Sequence, residues 1–298
     1  HSGNFEILLR MQKKSRRQIR SLSGLEFQAF LAFRQGIGGE GNLPLRLEEL
    51  SGCPLPAKLL ETMILPSRLA SYRKSELDEF VRSHDLRFFG SPGQKIVFCM
   101  PEEMDLFHFE DAQAPEYFPT SGRFSLSELV DRTRRSTGEL TSELWKAFFE
   151  ASISCDSYEI VRKGLERKFK ASEETDLKSR RGGLRRWASS RPLNGLWYAL
   201  LPSPPADPLE EEERDRERAR RLLLRYGVVF RELVERELFA WKKIYRALTM
   251  LELAGEAVAG RFVETGEGIQ FVDPSLLEQE FPSASGYWWI SAADPASL

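Results

Sequence analysis

The side chains best suited to chemistry in this sequence are cations set in clusters and one late carboxylate. Lys13, Lys14, Arg16, Arg17 and Arg20 share one short stretch, and Lys178, Arg180, Arg181, Arg185, Arg186 and Arg191 share another, with Trp187 inside it. Lys242, Lys243 and Arg246 follow, then Arg261. Clustered cations neutralise phosphates, each one steepening the salt dependence of binding. A tryptophan among arginines suits stacking on unpaired bases. The carboxylate is Asp294, after the apolar run Tyr287-Trp288-Trp289-Ile290; beside a pocket, one carboxylate can steer a water for hydrolysis. Each has a plainer reading. The cations can be a solvated face paired with glutamates, a disordered loop, or a surface against a preceding domain. Asp294 can cap a turn before Pro295, with Trp288 and Trp289 as core residues.

Composition narrows these choices. Of 298 residues, 41% are apolar and 30% charged, ordinary for a globular chain long enough for two or three domains. The net charge of −2, from 43 basic and 45 acidic residues, argues against a uniformly basic nucleic-acid binder and makes local stripes decisive. Acid concentrates in Glu210-Glu211-Glu212-Glu213. No apolar run is long enough to span a membrane, and no signal peptide is visible, so a cytoplasmic location is expected. Cys53, Cys99 and Cys155 stand far apart, with only His1, His84 and His108 to help, so reduced, buried thiols are expected rather than disulfides or a metal site.

The elements that must position these groups repeat one grammar: short helix, turn, longer helix, then two strands about a glycine-containing tip. An N-terminal helical segment is expected over 1–42, ending in the glycine-rich loop from Gln35 to Asn42. A first unit covers 43–118, with Ser75 and Asp78 starting a helix as a capping-box-like pair and strands at 86–89 and 95–99 about Ser91-Pro92-Gly93. A second covers 119–201, with helices at 127–135 and 141–151, a weak wing, and an apolar strand within 193–201. Four prolines in 202–208 read as a stiff linker. A third unit covers 209–281, with helices at 216–226, 230–237 and 240–253 and a wing about Thr265-Gly266-Glu267-Gly268; 282–298 begins a further domain. Ile244, Leu248 and Leu251 share one face of its last helix, leaving Lys242, Lys243 and Arg246 on another. Tyr245, Phe148 and Phe149 fall at core spacings. The fold class expected is mainly α with small β wings: tandem winged helices, a variant of the helix-turn-helix reader, in a loosely docked array.

Several stretches, in order along the chain, resemble the region that follows the motor in large helicase-related (Lhr-type) helicases. They are Leu50 to Glu61, Ile64-Leu65-Pro66-Ser67-Arg68, Leu144-Trp145 to Tyr158, Leu224-Arg225-Tyr226-Gly227-Val228-Val229, Arg261-Phe262-Val263-Glu264 with Gly268, Gln270 and Phe271, and Ala293-Asp294-Pro295-Ala296. Departures include a single Arg261 where the family has two arginines, and Leu238-Phe239-Ala240 in place of its paired glycines. The resemblance implies an ATP-dependent DNA repair helicase as parent, with ATP and Mg bound by its motor. No G-x-x-x-x-G-K-[ST] occurs here, so no cofactor is expected in this segment. Three readings stand. One is a DNA-binding accessory segment that partners the motor domains and single-stranded or tailed DNA. Another is a protein-docking scaffold that self-associates. The third, which the resemblance implies, is a truncated glycosylase-like module with Asp294 as the candidate carboxylate steering water at a flipped base.

Overall fold

The computed structural model describes residues 21–39, 41–107, 112–170, 195–201, 205, 207–278 and 288–297. Helix α1, Gly24–Arg34, starts at a reciprocal cap in which Ser23 and Glu26 satisfy each other's backbone N–H groups. The first unit then runs α2 (Leu43–Glu49, capped by Asn42), β1 (Leu55–Pro56), α3 (Ala57–Leu59) continuing as a π-helical turn over Leu60–Ile64, α4 (Lys74–Ser83), β2 (Arg87–Ser91) and β3 (Lys95–Cys99). β3 lies between β1 and β2, antiparallel to both, with Phe88 opposite Phe98 and Leu55 opposite Ile96. The turn at 92–94 places Gln94 and Gly93 at positive φ, the left-handed conformation that a tight hairpin needs. Ser75 lies inside α4, whose N-cap is Arg73 with no side-chain hydrogen bond, so the expected Ser75–Asp78 cap does not form. Asp78 is used elsewhere.

The middle region follows a short α5 (Met104–Phe107) with α6 (Leu126–Thr133), α7 (Thr137–Phe149), β4 (Ile153–Cys155), α8 (Tyr158–Glu166) and β5 (Trp197–Ala199). α6 and α7 begin earlier than the apolar pattern suggests because Ser125–Glu128 and Ser136–Glu139 form capping boxes at both starts. β4 pairs with β5 from the far side of 171–194, Ile153 opposite Ala199. This region has no core of its own. Phe88 and Phe98 of the first unit's sheet meet Tyr158 at centroid separations of 5.5 and 5.6 Å, while Trp145 stands edge-on to Trp197 at 5.2 Å. All belong to one buried apolar cluster. Gly90 lets the chains approach this closely, since a Cβ there would lie 2.5 Å from the Phe148 carbonyl. The loosely docked array is therefore corrected: shared aromatic burial welds the two regions.

The last unit repeats the topology of the first: α9 (Pro208–Tyr226), β6 (Val228–Val229), α10 (Arg231–Val234), α11 (Trp241–Ala254), β7 (Val258–Gly260) and β8 (Gln270–Val272), with β8 central. Ile244, Ala247, Leu248 and Leu251 bury the inner face of α11, at the spacing of an amphipathic helix. α1 completes this core rather than the first unit's: Phe27, Phe30 and Leu31 cluster with Leu222, Phe230 and Phe271. Gly227, at φ +70°, ends α9, and any side chain there would strike Phe30 and Leu276. The protein is mainly α with small antiparallel wings. Among the described residues no helix is long and apolar enough to cross a membrane.

Arg162 of α8 joins the middle region to the first unit. It donates to both oxygens of Asp78 at 2.7 and 2.8 Å and to both of Glu61 at 2.7 and 2.9 Å. Replacing it by leucine leaves two carboxylates facing each other without a counter-charge, at an expected cost of about 2–4 kcal/mol. Urea denaturation should show Arg162→Lys recovering only part of the loss, because an ammonium cannot grip two carboxylates bidentately. Wild-type stability in Arg162→Leu would contradict the clamp.

Candidate nucleic-acid interface

In a winged helix the helix before the wing is the one that can face nucleic acid. α4 and α11 hold that place in the two units, and their surroundings differ. α4 is tied to α8 through Arg162, which takes its Asp78 and donates to the Lys74 carbonyl at 3.1 Å. The outer face of α4 is exposed and of mixed charge, with Lys74, Ser75, Glu79 and Arg82. α11 keeps an exposed outer face carrying Lys242, Lys243, Tyr245 and Arg246.

The cations of α11 are not equally available. Lys243 Nζ donates to Glu211 of α9 at 2.7 Å, and Arg246 lies 4.0 Å from Glu212. Lys242 has no ion pair among the described residues. Burial pushes the Glu211 carboxyl up, but hydrogen bonds from Lys243 and Arg218 outweigh it and hold the group below the ordinary carboxylate range. α9 and α11 bound a cleft of about 500 Å³ lined by Glu211, Glu212, Asp215, Lys243, Arg246 and Met250 among others. Tyr245 is 39% exposed, not a core residue as its spacing suggested, and stands 5.7 Å from Trp241. Phe148 is buried and Phe149 partly so. Arg261 is exposed at the base of the wing, its guanidinium 3.4 Å from the Glu264 carbonyl. The wing tip itself carries Glu264 and Glu267 and is acidic, a poor surface for phosphates. Lys13, Lys14, Arg16, Arg17, Arg20, Arg185, Arg186 and Trp187 lie outside the described residues.

Asp294 is not a free carboxylate. It is 2% exposed and accepts from both terminal nitrogens of Arg68, itself wholly buried, at 2.6 and 2.8 Å. It also accepts from the Ala296 N–H at 2.8 Å, as a turn-capping aspartate does. Arg68 in turn donates to Gln35 at 3.0 Å and the Ile64 carbonyl at 2.9 Å. Two stretches 226 residues apart are thus joined by one bidentate pair. Trp288 and Trp289 are corrected from core to surface, Trp289 being 95% exposed. The sequence reading missed Arg68; a lone cation in the apolar run from Ile64 to Ala70 was the available signal.

A second buried cation links the last unit to the first. Arg225 pairs with Glu237 at 2.5 Å, donates to the Glu49 carbonyl at 3.2 Å and also donates to the Ser51 carbonyl. Tyr226 shares Glu237 at 2.6 Å. Cys53 lies beside this pair and its thiol is pushed up to about 12, chiefly by burial and then by the Glu237 charge. Burial likewise raises Cys99 and Cys155, and all three thiols are free. Among the described residues no cluster of His, Cys, Asp and Glu is placed to hold a metal.

Two measurements check these joints. Asp294→Ala strands the Arg68 guanidinium in an apolar site and should cost about 3–5 kcal/mol, with protease cleavage near 288–297 rising in step; unchanged susceptibility would contradict the tie. At pH 8 the folded thiols should resist a disulfide reagent, because the thiolate is the reacting form and its folded pKa is raised. Urea should expose all of them, and rapid reaction of the native protein would refute their burial.

Comparison with known families agrees with this geometry. Two family models, each described as a winged-helix domain of the large helicase-related protein, match residues 23–100 and 208–279. These ranges contain α4 with its hairpin and α9 to β8. A Lhr helicase/probable uracil glycosylase of Mycolicibacterium smegmatis is 26% identical over 297 residues, covering 89% of this chain and 19% of that protein. The Lhr helicase/uracil glycosylase of Escherichia coli is 24% identical over 268 residues, covering 78% and 17%. The chain spans about a fifth of the length of these relatives. It belongs to the Lhr-type helicases, carrying two winged-helix domains of their C-terminal region.

Proposed function

We propose that this segment is a DNA-binding accessory part of an Lhr-type helicase, and that α11 of the last unit makes the contact. The observation that carries this is the contrast between the exposed faces of the two equivalent helices. That of α4 mixes Lys74 and Arg82 with Glu79, while that of α11 carries Lys242, Lys243 and Arg246 and no exposed acid, with Lys242 unpaired among the described residues and Tyr245 beside it. Lysine and arginine here serve the backbone phosphates, and Tyr245 with Trp241 offers a stacking surface for an unpaired base, which favours single-stranded or tailed DNA. ATP and Mg we place with a motor outside this segment, and the motor domains are its natural partners. Glycosidic chemistry is not part of the proposal, because Asp294 is committed to Arg68. The first unit, tied to the middle region through Arg162, fits a docking role.

Fluorescence anisotropy with labelled single-stranded, duplex and tailed DNA tests this across a salt series. Lys242→Ala should weaken binding about three- to tenfold and flatten the log–log salt slope by about one. Tyr245→Ala should weaken single-stranded binding more than duplex binding. If both variants bind as the wild type does, α11 is not the contact.

A further inference from the structure

The exposed face of α11 is shadowed by acid from its own domain, and the acid is built in place. Glu211 is not a loose surface side chain. Arg218, buried and anchored by the Leu106 carbonyl at 2.9 Å and by Asp215 at 2.7 Å, donates to Glu211 at 3.2 Å from one side. Lys243 takes the same Glu211 oxygen at 2.7 Å from the other side. Residues 211, 215 and 218 recur at i, i+4 and i+7, one face of α9. One position on, Glu212 faces Arg246 across the same cleft. Glu213 points to a different side, held by Arg216 at 2.7 Å and Arg220 at 3.2 Å.

We propose that Glu211 and Glu212 are an intramolecular stand-in for phosphate, occupying Lys243 and Arg246 until a nucleic-acid backbone displaces them. The inference rests on the reading of α11 as the contact helix. Its physical basis is competition: a phosphate oxygen and a carboxylate oxygen seek the same donors, and each carboxylate set free on binding takes up a counterion that offsets one released from the DNA. The two cations are thereby kept from unspecific polyanions, and DNA that also engages Lys242 and Tyr245 is favoured over bare charge. Exposed pairs of this kind are weak enough to exchange. The effect is a threshold on binding, not a block.

The test measures DNA affinity of the full chain at several salt concentrations. E211Q/E212Q should bind about three- to tenfold more tightly than wild type, with a salt slope steeper by about 0.7–0.9 per cation released. E213Q makes half that charge change on the other side of the helix and should stay within about twofold of wild type. Adding Lys243→Ala and Arg246→Ala to the double variant should abolish the gain. Since Glu211 also holds Arg218, E212Q alone, with its exposed carboxylate, keeps the Arg246 arm testable if the double variant unfolds. A gain per charge in E213Q equal to that of E211Q/E212Q, or one that survives loss of the two cations, overturns the proposal. DNA binding by wild type and double variant with identical affinity and slope overturns it alone. Absence of binding by either at low salt overturns the α11 reading with it.

Discussion

A guanidinium shut away from water must find its acceptors within the protein. Arg225 is enclosed between the last unit and the first, and its donors are taken by the Glu237 carboxylate and by the Glu49 and Ser51 carbonyls. Two of those acceptors belong to one winged-helix unit and one to the other, so the charge is satisfied only when the units hold their observed placement. Breaking such a pair by removing one partner costs far more than forming it gains. The arrangement specifies geometry more than it adds net stability. Arg68 with Asp294, and Arg162 with Glu61 and Asp78, apply the same constraint elsewhere. Each is an arginine, whose planar fork can serve several acceptors at once.

These joints decide which surfaces remain for partners. Both winged-helix units have the same strand order, with the last strand central, yet the exposed faces of their reading helices differ. α4 is tied to α8 by Arg162 and shows solvent a face of mixed charge, whereas α11 meets α9 of its own unit along one side and turns cations to solvent along the other. Identical topology does not carry identical function.

Patterns confined to one element were legible in the sequence. The inner face of α11 follows from Ile244, Leu248 and Leu251, and the hairpin from the apolar stretches 86–89 and 95–99 about a Pro-Gly turn. What was not legible depends on distant residues. Nothing local to Asp78 shows that its partner is Arg162, so a helix cap was the natural assignment. Apolar composition alone suggested that Trp288 and Trp289 were core, but residence in a core also requires a surface to pack against. The cations of α11 were visible, while the carboxylates across from them were visible only as an acidic run. That the two meet is a fact of helix packing, set by the buried faces of α9 and α11 rather than by the charged ones.

The strap formed by residues 288–297 reaches three separate places: Gln28 of α1 meets the Ala296 carbonyl, Arg236 meets that of Ser297, and Asp294 meets Arg68. A fragment trimmed ahead of position 288 would retain every helix and strand of both winged-helix units. It would nevertheless leave Arg68 without its counter-ion. Boundaries drawn from secondary structure alone would therefore misjudge the smallest self-sufficient piece, since its limit is set by where the last counter-ion resides.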